Sequence, residues 1–447
     1  MKFKALLLKP VSGFSLGIFR ALFGALMVYE VGYFMSVDFV GLGIVGPIGT
    51  FEYDFLGWIQ PLPEPALRGL LIILLLAAAC ISLGMFFRPA SILFTIGFTY
   101  LLFLGKGHYN NHFYLFCIIA FFLSFTHADK NFSFKRLSPE SDRTIPLWNL
   151  QLFRFALFLT YFYGGLAKLS GDWLSCQQPV RSLIDSGWSG TIWNTEGFIA
   201  FITYGGLLFD LAIGFLLLIK KTRLLSMVGV VVFNLTNALF LFNDIGVFPY
   251  VMICSTIVFF DPDGDIIERL KKKLVVKKGK QPKPRTEYYP ATKSLYLLIA
   301  FIGIQLLLPF RSFLLPGDAN WTGIGRQFSW RMKVQARQVH EFRFVAVNKE
   351  TGQQFDLPED QLLSMINTMQ RRYISENPVM AWQFAQYLSQ RTLKKELQGY
   401  SLHALINVTY NGHDPQYMID PSVDLITARY DPLGKNDWIL PLKSSCK

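Results

Sequence analysis

Apolar runs of membrane-spanning length recur along this chain, and they decide its fold class before anything else does. They lie at roughly 13–36, 66–87, 90–105, 113–127, 146–167, 199–219, 223–242, 247–260 and 293–310, where a helix needs about 20 apolar residues to cross a bilayer and a shorter one needs tilt or partners. Of 447 residues, 52% are hydrophobic and only 17% charged, which excludes an ordinary soluble domain. The expected fold is a polytopic α-helical membrane bundle of about nine spans over residues 1–310, followed by a C-terminal α/β extramembrane module over 311–447.

A net charge of +12 on a soluble protein would suggest nucleic acid. Here the basic residues sit in a few interhelical loops, so an orientation signal explains them better and no nucleic-acid partner is expected. One set of loops holds Lys2, Lys4 and Lys9, Arg88, then Lys130, Lys135, Arg136 and Arg143, Lys220, Lys221 and Arg223, and a basic loop spanning 268–292. The alternate loops hold Asp38, Glu52, Asp54, Glu64, Lys106, Asp172 and Asp244. The positive-inside rule puts the N-terminus in the cytoplasm, and an odd number of spans puts the module on the extracytoplasmic side together with His112, Lys168 and Asp244. Met1-Lys2-Phe3-Lys4 resembles the start of a signal peptide, but the run continues past Phe34 without a small-residue cleavage site, so a retained first span is expected. Cys80, Cys117 and Cys254 sit inside apolar runs, whereas Cys176 and Cys446 share the outer side and either pair or stay free.

The Pro-bearing basic segment Arg269 to Arg285 reads as a solvated loop attracted to anionic headgroups. After Phe310 the composition turns polar. Residues 341–347 and 402–410 alternate as strands, with helical stretches near 358–373 and 378–397 between them.

Zinc-ligand spacing, a phosphate loop, a serine nucleophile elbow and a dinucleotide fingerprint are all missing from the sequence. Three polar groups near the outer face remain. His108 to His112 lie in a short loop entering the fourth run, as interfacial residues or as groups that orient a ligand. Lys168 closes the run Phe158 to Ala167; its ammonium either snorkels to water or, desolvated by the aromatic residues at 161–163, acts as a general base. Gly164 and Gly165 let a neighbouring backbone or ligand approach it. Asn234 and Asn237, inside an apolar run, suit hydrogen bonds to another helix. Asp210 needs a partner, for which Arg20, Arg154 and a polar ligand all qualify.

These residues, taken in order, resemble the vitamin K-dependent γ-glutamyl carboxylases, of the bacterial type in the horizontally transferred transmembrane family. The likeness runs through Gly17 to Gly24, Asn110-Asn111-His112 with Tyr114-Leu115, Pro146 to Asn149, Tyr161-Phe162, Lys168-Leu169 with Asp172-Trp173, and Ile245-Gly246 with Phe248-Pro249-Tyr250. Beyond the spans it continues through Asn320-Trp321-Thr322, Phe328 to Met332, Asp420-Pro421 with Val423-Asp424, and Trp438 with Pro441-Leu442. The resemblance implies that Lys168 deprotonates a naphthoquinol, whose anion reacts with dioxygen to give an alkoxide. That base removes the γ-proton of a peptide glutamate, the carbanion adds carbon dioxide, and the quinone leaves as its epoxide.

It further implies His112 assisting the glutamate or oxyanion, Asn111 as a hydrogen-bond donor, and Trp330, Arg337 and Asn237 on the substrate. Reduced vitamin K, as phylloquinol or menaquinol, O2 and CO2 are the implied co-substrates, with no metal, and the partners are a Glu-containing peptide and the lipid bilayer. The chain departs from the family in offering Asn234 and Asn237 without a nearby His, and in lacking acidic residues over Thr322 to Phe328. The resemblance stops at Lys447, short of the β-rich region that animal members use in propeptide docking, so it does not extend to propeptide recognition. A non-enzymatic membrane binding or maturation protein on the same scaffold is the alternative, and a transporter lacks the internal repeat it would need.

Overall fold

The computed structural model describes residues 2–134, 144–242, 244–274, 292–443 and 446. The basic segment Lys277 to Arg285, with Lys135, Arg136, Arg143 and Asn243, lies outside the described residues. Apolar helices dominate: α1 Phe14–Ser36, α2 Glu64–Leu83, α3 Phe87–Phe103, α4 Asn111–Phe125, α5 Trp148–Ala167, α6 Glu196–Leu218, α7 Arg223–Thr236, α8 Phe248–Ser255 and α9 Thr292–Leu307. Local chemistry sets their ends. The Asn110 side chain caps α4 by accepting from the Phe113 amide at 2.8 Å, Thr195 caps α6, and Gly84 closes α2 in the left-handed region at φ 70°.

Six helices among the described residues are long and apolar enough to cross a membrane: α1, α2, α5, α6, α7 with its extension to Leu241, and α9 with its extension to Leu314. Six meet that measure, and the expected nine is reached only when the three shorter apolar helices are counted as well. Helices α3, α4 and α8 (with its extension to Phe259) are apolar but only 10–17 residues long. A hydropathy run counts apolar residues that flank a helix as well as those within it, and caps such as Asn110 cut the helix shorter than the run. The bundle also turns apolar side chains outward, among them Leu76, Ile96, Phe201 and Leu225, as a multi-pass membrane protein does when its outer face meets lipid.

The loops sort to two ends as their alternation predicts. At one end Pro10–Ser12 pairs antiparallel with Thr144–Pro146, Ser12 meets Asp263, and the Arg20 guanidinium donates to the carbonyls of Ile81, Ser82, Ala128 and Phe132. At the other end the loops carrying Gly49, Asp54, Lys106 and Asp172 meet the C-terminal module.

The module is built on an antiparallel four-stranded sheet. Its strands are β1 Arg337–Asn348, β2 Gln354–Asp356, β3 Tyr400–Tyr410 and β4 Gln416–Tyr417, in the order β2-β1-β3-β4 with Phe342 opposite Ile406. Alternation along β3 buries Leu402, Ala404, Ile406, Val408 and Tyr410. These pack on α10 Glu359–Ser364, α11 Thr368–Glu376 and α12 Pro378–Tyr387 through Leu362, Ile374 and Phe384. The stretch expected as one helix over 358–373 is two, because a capping box between Asn367 and Gln370 starts a new helix. The stretch over 378–397 ends its α-helix at Tyr387 and turns into a π-helical segment, Leu388–Thr392.

Bundle and module exchange aromatic residues. Phe51, from the loop after α1, is fully buried in the module's core, and Trp330, from the segment leading to β1, is fully buried in the bundle's core. Burying a large aromatic contributes about 2–3 kcal/mol, so each part helps to hold the other in place. A disulfide joins Cys176 to Cys446 and adds a covalent tie near the same junction.

Candidate functional site

A cavity of about 940 Å³ lies where the helix ends meet the module. Lys168, at the end of α5, faces it. A helical side chain leans toward the N-terminus of its helix, so Lys168 reaches back over the preceding turn, where Gly164 leaves room: a methyl there would sit 3.5 Å from Asp210 Oδ2 and 3.3 Å from the Met332 Cε. One residue on, Gly165 lets α6 approach, since a methyl would stand 2.9 Å from the Leu211 amide nitrogen. The pair of glycines thus seats α6 against α5 and brings Asp210 under the ammonium.

The Lys168 Nζ donates to Asp210 Oδ2 at 2.5 Å and lies 5.0 Å from the centre of the Trp173 ring. Both residues are buried, at 8% and 5% exposure. Lys168 therefore does not snorkel, and the apolar desolvation expected around it is joined by an ion pair. The partner of Asp210 is neither Arg20 nor Arg154, which donates to the carbonyls of Val258 and Phe260. Sequence reasoning had the signal, a carboxylate that cannot be buried alone, but both arginines find carbonyl partners and the glycine pair selects Lys168.

Five of the six sequence-predicted site residues line this one cavity: Lys168, His112, Asn111, Asn237 and Arg337. His112 packs beside Phe248 on the wall, and Asn111 accepts from the Tyr109 hydroxyl at 2.9 Å. Asn237 opens a π-helical stretch, Asn237–Leu241, and its side chain has no hydrogen-bond partner among the described residues. Asn234 donates to the Tyr161 hydroxyl and to the Val230 carbonyl, both at 2.8 Å, which is the interhelical role carboxamides take by default. Of the aromatic residues at 161–163, Tyr161 alone is on the cavity wall.

The sixth predicted residue, Trp330, is not among the lining residues. Its ring packs 5.0 Å from Tyr114, inside the bundle. Phe328, Trp330 and Lys333 all take positive φ, between 52° and 60°, a conformation that costs on the order of 1 kcal/mol or more for each non-glycine residue. Burial of Trp330 offsets that strain and points Met332 and Lys333 at the cavity.

Arg337 sits between the rings of Trp321 and Tyr410, at 5.2 and 5.1 Å, and donates to the carbonyls of Asn320 and Trp321 at 2.5 and 2.9 Å. Burial lowers its pKa to about 10, so it stays charged at neutral pH and acts as a fixed positive field, with most of its donors already engaged. Around it the cavity gathers Arg326, Arg331, Lys333 and Arg372, against Asp244 and Glu376. Lys333 bonds Asp244 at 2.5 Å, and although burial acts the other way, this bond holds the Asp244 carboxyl below the usual range.

Sequence reasoning missed the clamp on the module. Asp172 accepts from Asn411 at 2.9 Å and meets His413 Nε2 at 2.9 Å, while Asn411 also bonds the backbone of Val334 and Ala336. Asp172, His413 and Cys446 are close enough to hold a metal ion, but the Cys446 sulfur is bonded to Cys176, and the group reads as a structural knot.

Two family models match the chain. One, described as the HTTM domain, covers residues 8–264. The other, described as the lumenal domain of vitamin K-dependent gamma-carboxylase, covers residues 291–445. No solved structure matches.

Proposed function

The chain belongs to the HTTM-domain family and carries the lumenal domain of the vitamin K-dependent gamma-carboxylases, and on that premise we propose that it γ-carboxylates peptide glutamate with reduced vitamin K, Lys168 being the base that takes the quinol proton. Reduced vitamin K, once bound, supplies with O2 a base stronger than any side chain, and CO2 supplies the carbon added. The residues present suit such a group. The cavity has apolar walls at Phe233, Leu241 and Phe248 for a flat ring, a polar floor at Lys168 and Asp210, and a volume at the upper end of small-molecule sites.

On this reading Lys168 receives a proton at a buried position, which is what a lysine base requires. His112 and Asn111 stand on the same wall to orient the glutamate side chain or stabilise developing negative charge. Arg337 and the basic residues around it draw an acidic peptide in, and Asn237 offers a carboxamide to the bound substrate. Loop charge favours the module on the extracytoplasmic face and the N-terminus in the cytoplasm.

The observation that carries the proposal is the buried lysine opening on the same cavity as His112, Asn111 and Arg337. Purified protein given reduced naphthoquinone, oxygen, bicarbonate and a Glu-containing peptide is expected to yield quinone epoxide and carboxylated peptide. Capture of the peptide by the wild-type protein with no epoxide formed would overturn the proposal in favour of a binding or maturation protein.

A further inference from the structure

We propose that Asp210 is the proton acceptor that makes Lys168 a base: when a ligand displaces water from the cavity, a proton passes from Lys168 Nζ to Asp210 Oδ2 and leaves a neutral amine. This rests on the proposed role of Lys168. The 2.5 Å hydrogen bond is the path. The N–H bond of the ammonium breaks, an O–H bond forms on the carboxylate, and the two charges cancel without any other reactant.

The hydrogen-bond inventory favours that transfer. An ammonium has three donors and a carboxylate about four acceptor sites. Among the described residues Lys168 Nζ donates only to Asp210, and Asp210 accepts only from Lys168. The other charge-stabilising contact is the face of Trp173. The remaining donor and acceptor capacity of the two ions opens on the cavity they line. A buried ion pair survives when further hydrogen bonds satisfy it, and it gives way to its neutral form when they are withdrawn. Gly164, which keeps a side chain out of the space beside Asp210 Oδ2, leaves the pair exposed to whatever fills the cavity. Asp210 is thus a positioning residue as well, since it holds the amine at the cavity floor.

Tyr161 lies within electrostatic reach of Asp210, and the cavity that the pair lines also holds His112, the Lys333–Asp244 pair, Lys106, Tyr109, Tyr373, Glu376, Arg326, Arg331, Arg337 and Arg372. Ratios of variant to wild type at each pH remove their contribution. For Asp210→Asn the amine must release its proton to solvent, so the ratio of epoxide formation to wild type is expected to be low at neutral pH. It should rise toward alkaline pH, where solvent takes the proton instead. Asp210→Glu is expected to restore a flat ratio, which a merely structural role would not do.

Turnover is not the only readout. Infrared difference spectra on adding oxidised naphthoquinone, which fills the cavity without reacting, are expected to show the carbonyl stretch of a protonated carboxylic acid, absent from Asp210→Asn. No such band in the wild-type protein, or a flat Asp210→Asn ratio, overturns the proposal. Lys168→Ala run in parallel separates the two ideas: epoxide formation that survives there means the base assignment itself has failed.

Discussion

Lys168–Asp210 and Lys106–Asp54 each join a buried lysine to an aspartate, at 2.5 and 2.7 Å, and both lysines touch the same cavity. Their surroundings differ. Lys106 lies in the loop before α4, its backbone amide bonded to the Phe51 carbonyl at 2.7 Å. Its ammonium lies 5.9 Å from the centre of the Tyr430 ring, and Asp54, with 26% of its side chain exposed, also accepts from the Tyr430 hydroxyl. That pair is held from both bundle and module, and its acid stays partly exposed. Lys168 and Asp210 have each other, one ring and the cavity. A pair with many partners fastens two parts together, whereas a pair with few can change its protonation when the cavity fills.

The comparison breaks most sharply if the partners are exchanged. Lys168→Asp with Asp210→Lys keeps the charges but moves the amine from α5 to α6, and epoxide formation is expected to fall by about a hundredfold or more, the scale of a lost general base. Lys106→Asp with Asp54→Lys is expected to stay within a few-fold of wild type, since a fastening pair works in either sense. Equal losses in the two exchanges would erase the distinction. Next in size is Trp330→Ala, which empties a fully buried site and should cost about 3–5 kcal/mol, read as a drop in melting temperature. Because it releases the strained segment above Lys168, it should also slow turnover while Lys168 is intact.

Lys106→Met comes third. Breaking a buried pair costs about 3–5 kcal/mol, and the partial exposure of Asp54 brings the expected loss to the lower end of that range or below. The smallest effects are in pH. Burial lowers the Lys106 pKa below its usual 10.5, with Asp54 acting against it. The unfolded chain then holds that proton more tightly, and stability from this group rises with pH up to about 10.5. Asp244 has the opposite sign: its pKa is lowered in the fold, so its stabilisation is present above the usual 3.8 and is lost as pH falls through the folded value. Melting curves across pH for Lys106→Met and Asp244→Asn would each flatten the corresponding limb.

Membrane class, the grouping of loops at two ends and the strands of the module are legible in the sequence because hydropathy and alternation are local signals. Residues 402–410 show this, since every second side chain there is buried. The places where local signals fail are the junctions. Asn367 starts a helix inside an apolar pattern through a capping box visible only once Gln370 is seen to reach back. Trp330 reads as a substrate-contacting residue from its place in a motif, and it turns into the bundle core on a segment where Phe328 and Trp330 take positive φ. In the site, Lys168, His112 and Asn111 are identifiable from order and resemblance, but the partner of Lys168 depends on how closely α5 and α6 approach. Gly165 fixes that distance against Leu211, and no spacing rule along the sequence expresses it. The Asp172–Asn411–His413 clamp is illegible for the same reason, since its halves are more than two hundred residues apart.

The most direct measurement is quinone epoxide formed by Lys168→Ala and Lys106→Ala, prepared in the same lipid and assayed side by side with reduced naphthoquinone and oxygen. Epoxide lost in Lys168→Ala and retained in Lys106→Ala is the predicted result. Epoxide formed at the wild-type rate by Lys168→Ala, in protein that melts as a folded species, would contradict the assignment of Lys168 as the base.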